Sequence, residues 1–155
     1  MALVRILIDG YSLLHAWPAL APGLARHSAA ARDTLLTRLT HYQDSTGVPL
    51  TLFFDGQGAP SGTPKAFSTP KVEVLYSRRG QTADDLIERV VYRLLPYGEV
   101  LVITNDHAER DTVIGLGGHA QSCEGFICTV EATLGEFESD LATINRRERD
   151  RFRRS

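Results

Sequence analysis

Three apolar runs in this chain each close on an acidic residue, and that repetition constrains the fold more than any other feature. Leu3, Val4, Ile6, Leu7 and Ile8, broken only by Arg5, run into Asp9-Gly10; Val48 to Phe54 runs into Asp55-Gly56; Glu99 to Thr104 runs into Asn105-Asp106. Runs this short and this apolar read as strands buried on both faces, which is the pattern of a parallel sheet. The Asp-Gly pairs supply a sharp turn at the end of two of them. Each acid therefore belongs at the carboxyl end of a strand, where open α/β sheets build their sites.

The segments between these runs have helical spacing. Tyr11 to Trp17 is a short apolar stretch with His15 inside it, broken by Pro18 and Pro22. Ala29 to Asp44 places Leu35, Leu36, Leu39 and Tyr42 on one face, with Arg32, Arg38 and Gln43 expected to point elsewhere, and Gly47 ends it. Gln57 to Pro70 is a long Gly/Pro/Ser/Thr loop of the length associated with function or mobility. Lys71 to Tyr76 alternates as a short strand, expected at the sheet edge. Thr82 opens a helix through Leu95, with Asp85 three residues on in the place of a capping box. A helix from His107 stops in the glycines at 115, 117 and 118; a short strand lies near His119 to Ser122; and Ser122 is placed to cap a C-terminal helix. Strands alternating with helices predict one α/β domain with helices on a parallel sheet.

Composition narrows the function. At 155 residues, 43% hydrophobic and 23% charged, the chain is sized for one globular domain. No run is long enough for a membrane span, and Arg5 and Asp9 interrupt the only candidate leader, so a cytoplasmic location is expected. Cys123 and Cys128 lack a second pair to complete a zinc site and are expected to be reduced packing residues. The net charge of −2 argues against binding nucleic acid by charge alone. It is uneven, though: six arginines against Glu148 and Asp150 give residues 145–155 a local +4. This arginine-rich tail, Arg146 and Arg147 included, is either a solvated helix end or a phosphate contact.

The acids carry the chemistry. Asp9, Asp55 and Asp106 end strands, and Asp84 opens a helix whose N-terminus points to the same rim. Converging carboxylates repel one another unless a cation neutralises them. Oxygen donors without His or Cys suit a hard ion, Mg²⁺ or Mn²⁺, and such sites serve phosphodiester hydrolysis. The alternative is that each acid is a helix cap, which Asp85 satisfies best and which Asp106, with Glu109 three residues later, also allows. Gly115-Leu-Gly117-Gly118 follows a helix and is no dinucleotide fingerprint; a P-loop and a Gly-x-Ser-x-Gly elbow are absent; and Tyr11 stands where an aspartyl phosphatase needs its second Asp.

The strings ILIDGYSLL, TLFFDGQG, VEVLYSRRGQTADDLIERVV and VLVITND, in that order, resemble the NYN-domain ribonucleases of the YacP-like group, relatives of PIN-domain nucleases. The resemblance runs from Leu3 to Ile144. It implies a three-layer α/β/α PIN-like domain over residues 1–144, followed by the 145–155 tail, and metal-dependent cleavage of RNA. The metal-binding acids would fall on Asp9, Asp84 and Asp106, with Asp55 a further acidic position and Asp85 a residue usual in this subgroup. One residue departs: the group commonly has Asn two positions after the first glycine, where this chain has Ser12, a hydroxyl with less reach and one polar group fewer.

The sequence therefore predicts a cytoplasmic endoribonuclease using one or two Mg²⁺ or Mn²⁺ ions. Lys65, Arg78, Arg79 and the tail arginines would contact the RNA backbone. Ser12 would orient water or substrate, and Tyr11 and Trp17 would either stack on an unpaired base or pack in the core. The alternatives are a catalytically weak RNA-binding or ribosome-associated module and a DNA-directed nuclease.

Overall fold

The computed structural model describes residues 2–25, 28–56 and 68–153, of which 137–140 and 153 as backbone only. Lys65 and most of the long loop after Asp55 lie outside the described residues. Five strands, β1 (Leu3–Asp9), β2 (Leu50–Phe54), β3 (Val72–Tyr76), β4 (Glu99–Ile103) and β5 (His119–Gln121), form one sheet in the order β3-β2-β1-β4-β5. Every pairing is parallel. The first apolar run is thus the central strand, and β3, the short alternating strand, lies at the sheet edge as expected.

Helices cover both faces. Ile6, Ile8, Leu50, Leu52, Phe54 and Ile103 point to one side. There they meet α1 (Gly10–Ala16), α2 (Ala29–Thr46) and the first half of α5 (Cys123–Arg153). Leu7, Phe53, Val100 and Val102 point to the other side, against α3 (Ala83–Leu94) and α4 (His107–Leu116) through Ile87, Val91 and Val113. Alternation along the strands, with both faces apolar, is what forces three layers. Each fully buried Leu, Ile or Phe contributes about 1.5–3 kcal/mol.

The helix ends follow local chemistry. Ser28 Oγ accepts from Ala31 N at the start of α2, and Gly47, in the left-handed region at φ 74°, closes it. Thr82 and Asp85 form a reciprocal capping box on α3. Ser122 Oγ accepts from Gly125 N at the start of α5. Gly10 is required for a different reason. A Cβ there would lie 2.3 Å from the Phe54 ring, so the β1–α1 turn can approach β2 only without a side chain.

Three details depart from the sequence expectations. Arg32 and Gln43 are 2% and 5% exposed, although their positions beside the leucine stripe had pointed them outward. Arg32 is held inside because its Nη1 donates to the Tyr76 hydroxyl at 2.9 Å and its guanidinium lies 5.8 Å from that ring's centre. Gly115 sits within α4, which ends at Leu116 with Gly117 at φ 104°. Of the two free cysteines Cys123 is buried, but Cys128 is exposed on α5 and packs no core.

Candidate active site

β1 lies between β2, to which the chain moves in one direction, and β4, from which it moves in the other. The crevice at the carboxyl ends of β1 and β4 is therefore the switch point at which open α/β sheets bind ligands. Asp9 ends β1, and Thr104, Asn105 and Asp106 follow β4 directly. Sequence position alone places these residues on one rim once the register is parallel.

Hydrogen bonds tie that rim together. Asp9 Oδ1 accepts from Ser12 N at 3.3 Å, capping α1, while its Oδ2 accepts from the Thr104 hydroxyl at 3.5 Å. The Asp106 backbone N–H donates to Thr104 Oγ1 at 3.2 Å. Ser12 Oγ accepts from the Asn105 N–H at 3.1 Å and from the Cys123 thiol at 3.5 Å, so this hydroxyl bridges α1, the β4 exit and α5. Asn105 in turn accepts from Cys123 N at 2.8 Å and donates to Glu124 at 3.0 Å. Asp106 caps α4 through Ala108 N at 2.9 Å and Glu109 N at 3.3 Å. Capping and a site role are compatible for Asp9 and Asp106, because each carboxylate has several acceptor positions.

The acids act on one another through space. Burial raises the Asp9 pKa, Asp106 and Asp55 raise it further, and the bonds from Ser12 and Thr104 pull against them. Asp84 is pushed up to about 6, first by burial and then by the charges of Asp9, Asp106, Glu88 and Asp85. Glu109 is pushed up to about 8 by burial, by Asp84, Glu88 and Asp106, and by a bond with Glu88. It is 5% exposed, and its Oε1 is buried with no hydrogen-bond partner among the described residues. Asp9, Asp84 and Glu109 are thus drawn out of water beside the exposed Asp106, and each feels the charge of its neighbours, a setting that disfavours their collective ionisation. Among the described residues no three His, Cys, Asp or Glu side chains are grouped as a metal site. The donor chemistry nevertheless fits a hard cation: the set is carboxylate oxygen only, mutually repelling, with one orphaned buried oxygen beside it.

The other residues singled out in the sequence are placed as follows. Asp55 accepts from Ser77 Oγ at 3.0 Å, and that hydroxyl also takes the Gly56 N–H, which fixes the β2 exit at the margin of the cluster. Asp85 is exposed, with Oδ2 engaged by the Thr82 N–H at 3.1 Å. Tyr11 is half-buried, edge-on to Phe54 at 4.9 Å, and Trp17 lies in the core. Arg78 and Arg79 are exposed in the turn before α3, while Arg146 and Arg147 are exposed on α5.

Sequence reasoning passed over Thr104, read as the last strand residue, and Arg110, whose Nη1 donates to the Thr104 carbonyl at 3.5 Å. It saw Glu109 only as a possible cap partner. A signal existed for Glu109: with Val113 four residues on, it falls on the inward face of α4.

Comparison with known proteins agrees with this fold. The model of the YacP-like NYN domain matches residues 6–155. The protein YacP of Bacillus subtilis strain 168 is 30% identical over 140 residues, covering 90% of this chain and 82% of that protein. The crystal structure of Rae1 (YacP) from Bacillus subtilis superposes with a TM-score of 0.78 at 27% identity, over 97% of this chain and 85% of that one. A point mutant of the same protein gives 0.76 at 27% identity, over 91% and 82%. With a family model matched over residues 6–155 and a solved relative superposing over nearly the full length, this chain belongs to the YacP-like NYN domain family, whose domain has a PIN-like nuclease fold.

Proposed function

We propose that the protein is a cytoplasmic endoribonuclease that hydrolyses RNA phosphodiester bonds with Mg²⁺ or Mn²⁺. What supports this reading is that Asp9, Asp84 and Asp106 act on one another's charge at the carboxyl edge of the sheet, with Asp84 pushed up to about 6 by burial first and then by these neighbours. A cluster costly to ionise is reasonable where a cation is to be bound. Asp9, Asp84 and Asp106 would hold the ion, with Asp55 at the margin. Asp85 is the weaker candidate, because its carboxylate already closes the α3 cap. When bound, the ion supplies an activated water and neutralises charge on the scissile phosphate.

The remaining work falls to the chain itself. Thr104 and the Ser12 N–H fix both oxygens of Asp9, so the carboxylate meets the substrate already oriented. The Ser12 hydroxyl, accepting from Asn105 N and Cys123, has its proton left to donate toward water or a phosphate oxygen. Arg78 and Arg79, at the turn leading into α3, contact the backbone of the strand and position it without reading sequence.

A second reading is an RNA-binding or ribosome-associated module with weakened catalysis. Ser12 favours it, because a single hydroxyl replaces the amide common at that position. Incubating purified protein with unpaired RNA, structured RNA and single-stranded DNA, with Mn²⁺ or Mg²⁺, decides among these readings. RNA cleavage that vanishes with chelator and in a folded Asp84→Asn variant is expected. RNA binding without cleavage would move the conclusion to the module, and preferential cleavage of DNA would overturn the RNA assignment.

A further inference from the structure

A groove runs along the outer side of α3. Asp85, Glu88, Arg89, Tyr92 and Arg93 line it, and Leu116 of α4 forms part of its opposite wall. Its charges are segregated. Asp85 and Glu88 stand at the end near the site, and both act on Asp84, so this end is electrostatically part of the acidic edge. Arg89 and Arg93 follow, four residues apart and therefore on one face of the helix. Between them Tyr92 is 73% exposed, while Ile87 and Val91 carry the packing of α3 on the sheet. From Asp84 to Arg93 the helix rises about 14 Å, so the basic half begins close to the acids and leads away from them.

We propose that this groove holds the single-stranded RNA flanking the cleaved bond, with a base stacked on the Tyr92 ring and phosphates against Arg89 and Arg93. The inference deepens the nuclease reading and rests on it. A cation-binding end continuous with a basic, aromatic half matches what an unpaired strand offers: charge at the reacting phosphate, then backbone and base faces beyond it. A tyrosine exposed between two arginines is the arrangement that grips unpaired bases without regard to sequence, because every base has a face to stack. A duplex keeps its bases stacked inside and gains nothing from that ring.

The test is fluorescence anisotropy with an unpaired RNA of about 12 nucleotides and a duplex of the same length, in an Asp84→Asn background that prevents cleavage. Tyr92→Ala should weaken unpaired RNA roughly tenfold, leave the duplex unchanged, and be rescued by Tyr92→Phe. Arg89→Gln and Arg93→Gln should each reduce the slope of log affinity against log salt by about 0.7. A merely structural role for the exposed Tyr92 would not separate the two RNA forms. If all three variants bind like the parent while wild type cleaves RNA, the groove assignment is overturned and the nuclease reading stands. If the Asp84→Asn parent does not bind RNA and wild type does not cleave it, both fall.

Discussion

At the scale of single residues, two carboxyls set the pH behaviour. Asp84 titrates at about 6 and Glu109 at about 8 in the folded protein, whereas unfolded carboxyls titrate at about 4. Between these values the folded chain holds protons that the unfolded chain has released, so stability falls as pH rises. In chelator, the melting temperature should therefore decline from pH 5 to pH 8, with the loss complete above the Glu109 pKa. Glu109→Gln should flatten the upper part of that decline; an unchanged profile would remove Glu109 as its source. Ion binding reverses the sign, because a cation competes with those protons. The thermal shift given by Mn²⁺ should grow as pH rises through about 6, where Asp84 ionises. Asp84→Asn should abolish that shift and lower RNA cleavage at least a hundredfold, yet leave the chelated protein as stable or more so at pH 8, since it deletes a repelling charge.

At the scale of elements, the helix starts and the first turn are where the sequence is least forgiving. Gly10→Ala forces a methyl into the Phe54 ring at the β1–α1 turn. It should cost about 1–3 kcal/mol in urea unfolding, the usual range for overpacking. Because α1 carries Ser12 and is capped by Asp9, the same substitution should also disturb the acidic edge. Thr82→Ala removes half of the α3 capping box and should cost about 1 kcal/mol. Three of these starts were legible beforehand, because a cap is a short-range pattern: Thr82, Asp106 and Ser122 all cap the helices that follow them, whereas the Ser28 cap of α2 went unread. Arg32 was not legible. A guanidinium is drawn into the core only when a partner such as the Tyr76 hydroxyl arrives from a distant strand, 44 residues away.

Across the whole molecule, α5 is two things in one helix. Among the described residues its buried side chains, Cys123, Phe126, Ile127, Val130 and Leu134, all lie in the first half, while Leu141, Ile144 and Phe152 are exposed. Ending the chain after Asn145 should therefore change the melting temperature little. If the tail arginines contact phosphate, the same truncation should weaken RNA binding and flatten its salt dependence; unchanged affinity and slope would exclude that contact. Among the described residues no helix is long and apolar enough to cross a membrane.

The sequence by itself determined the strands, most helix limits and the acids at the strand ends, because apolar period, caps and Asp-Gly turns are encoded over a few residues. Only the tertiary structure decided that Asp9 and Asp106 share an edge through Thr104, that Ser12 is bonded from both Asn105 and Cys123, and that Glu109 is buried beside Asp84. Those facts depend on strand order and on what each side chain loses in water when distant segments close over it, and neither quantity is written in any local stretch of the chain.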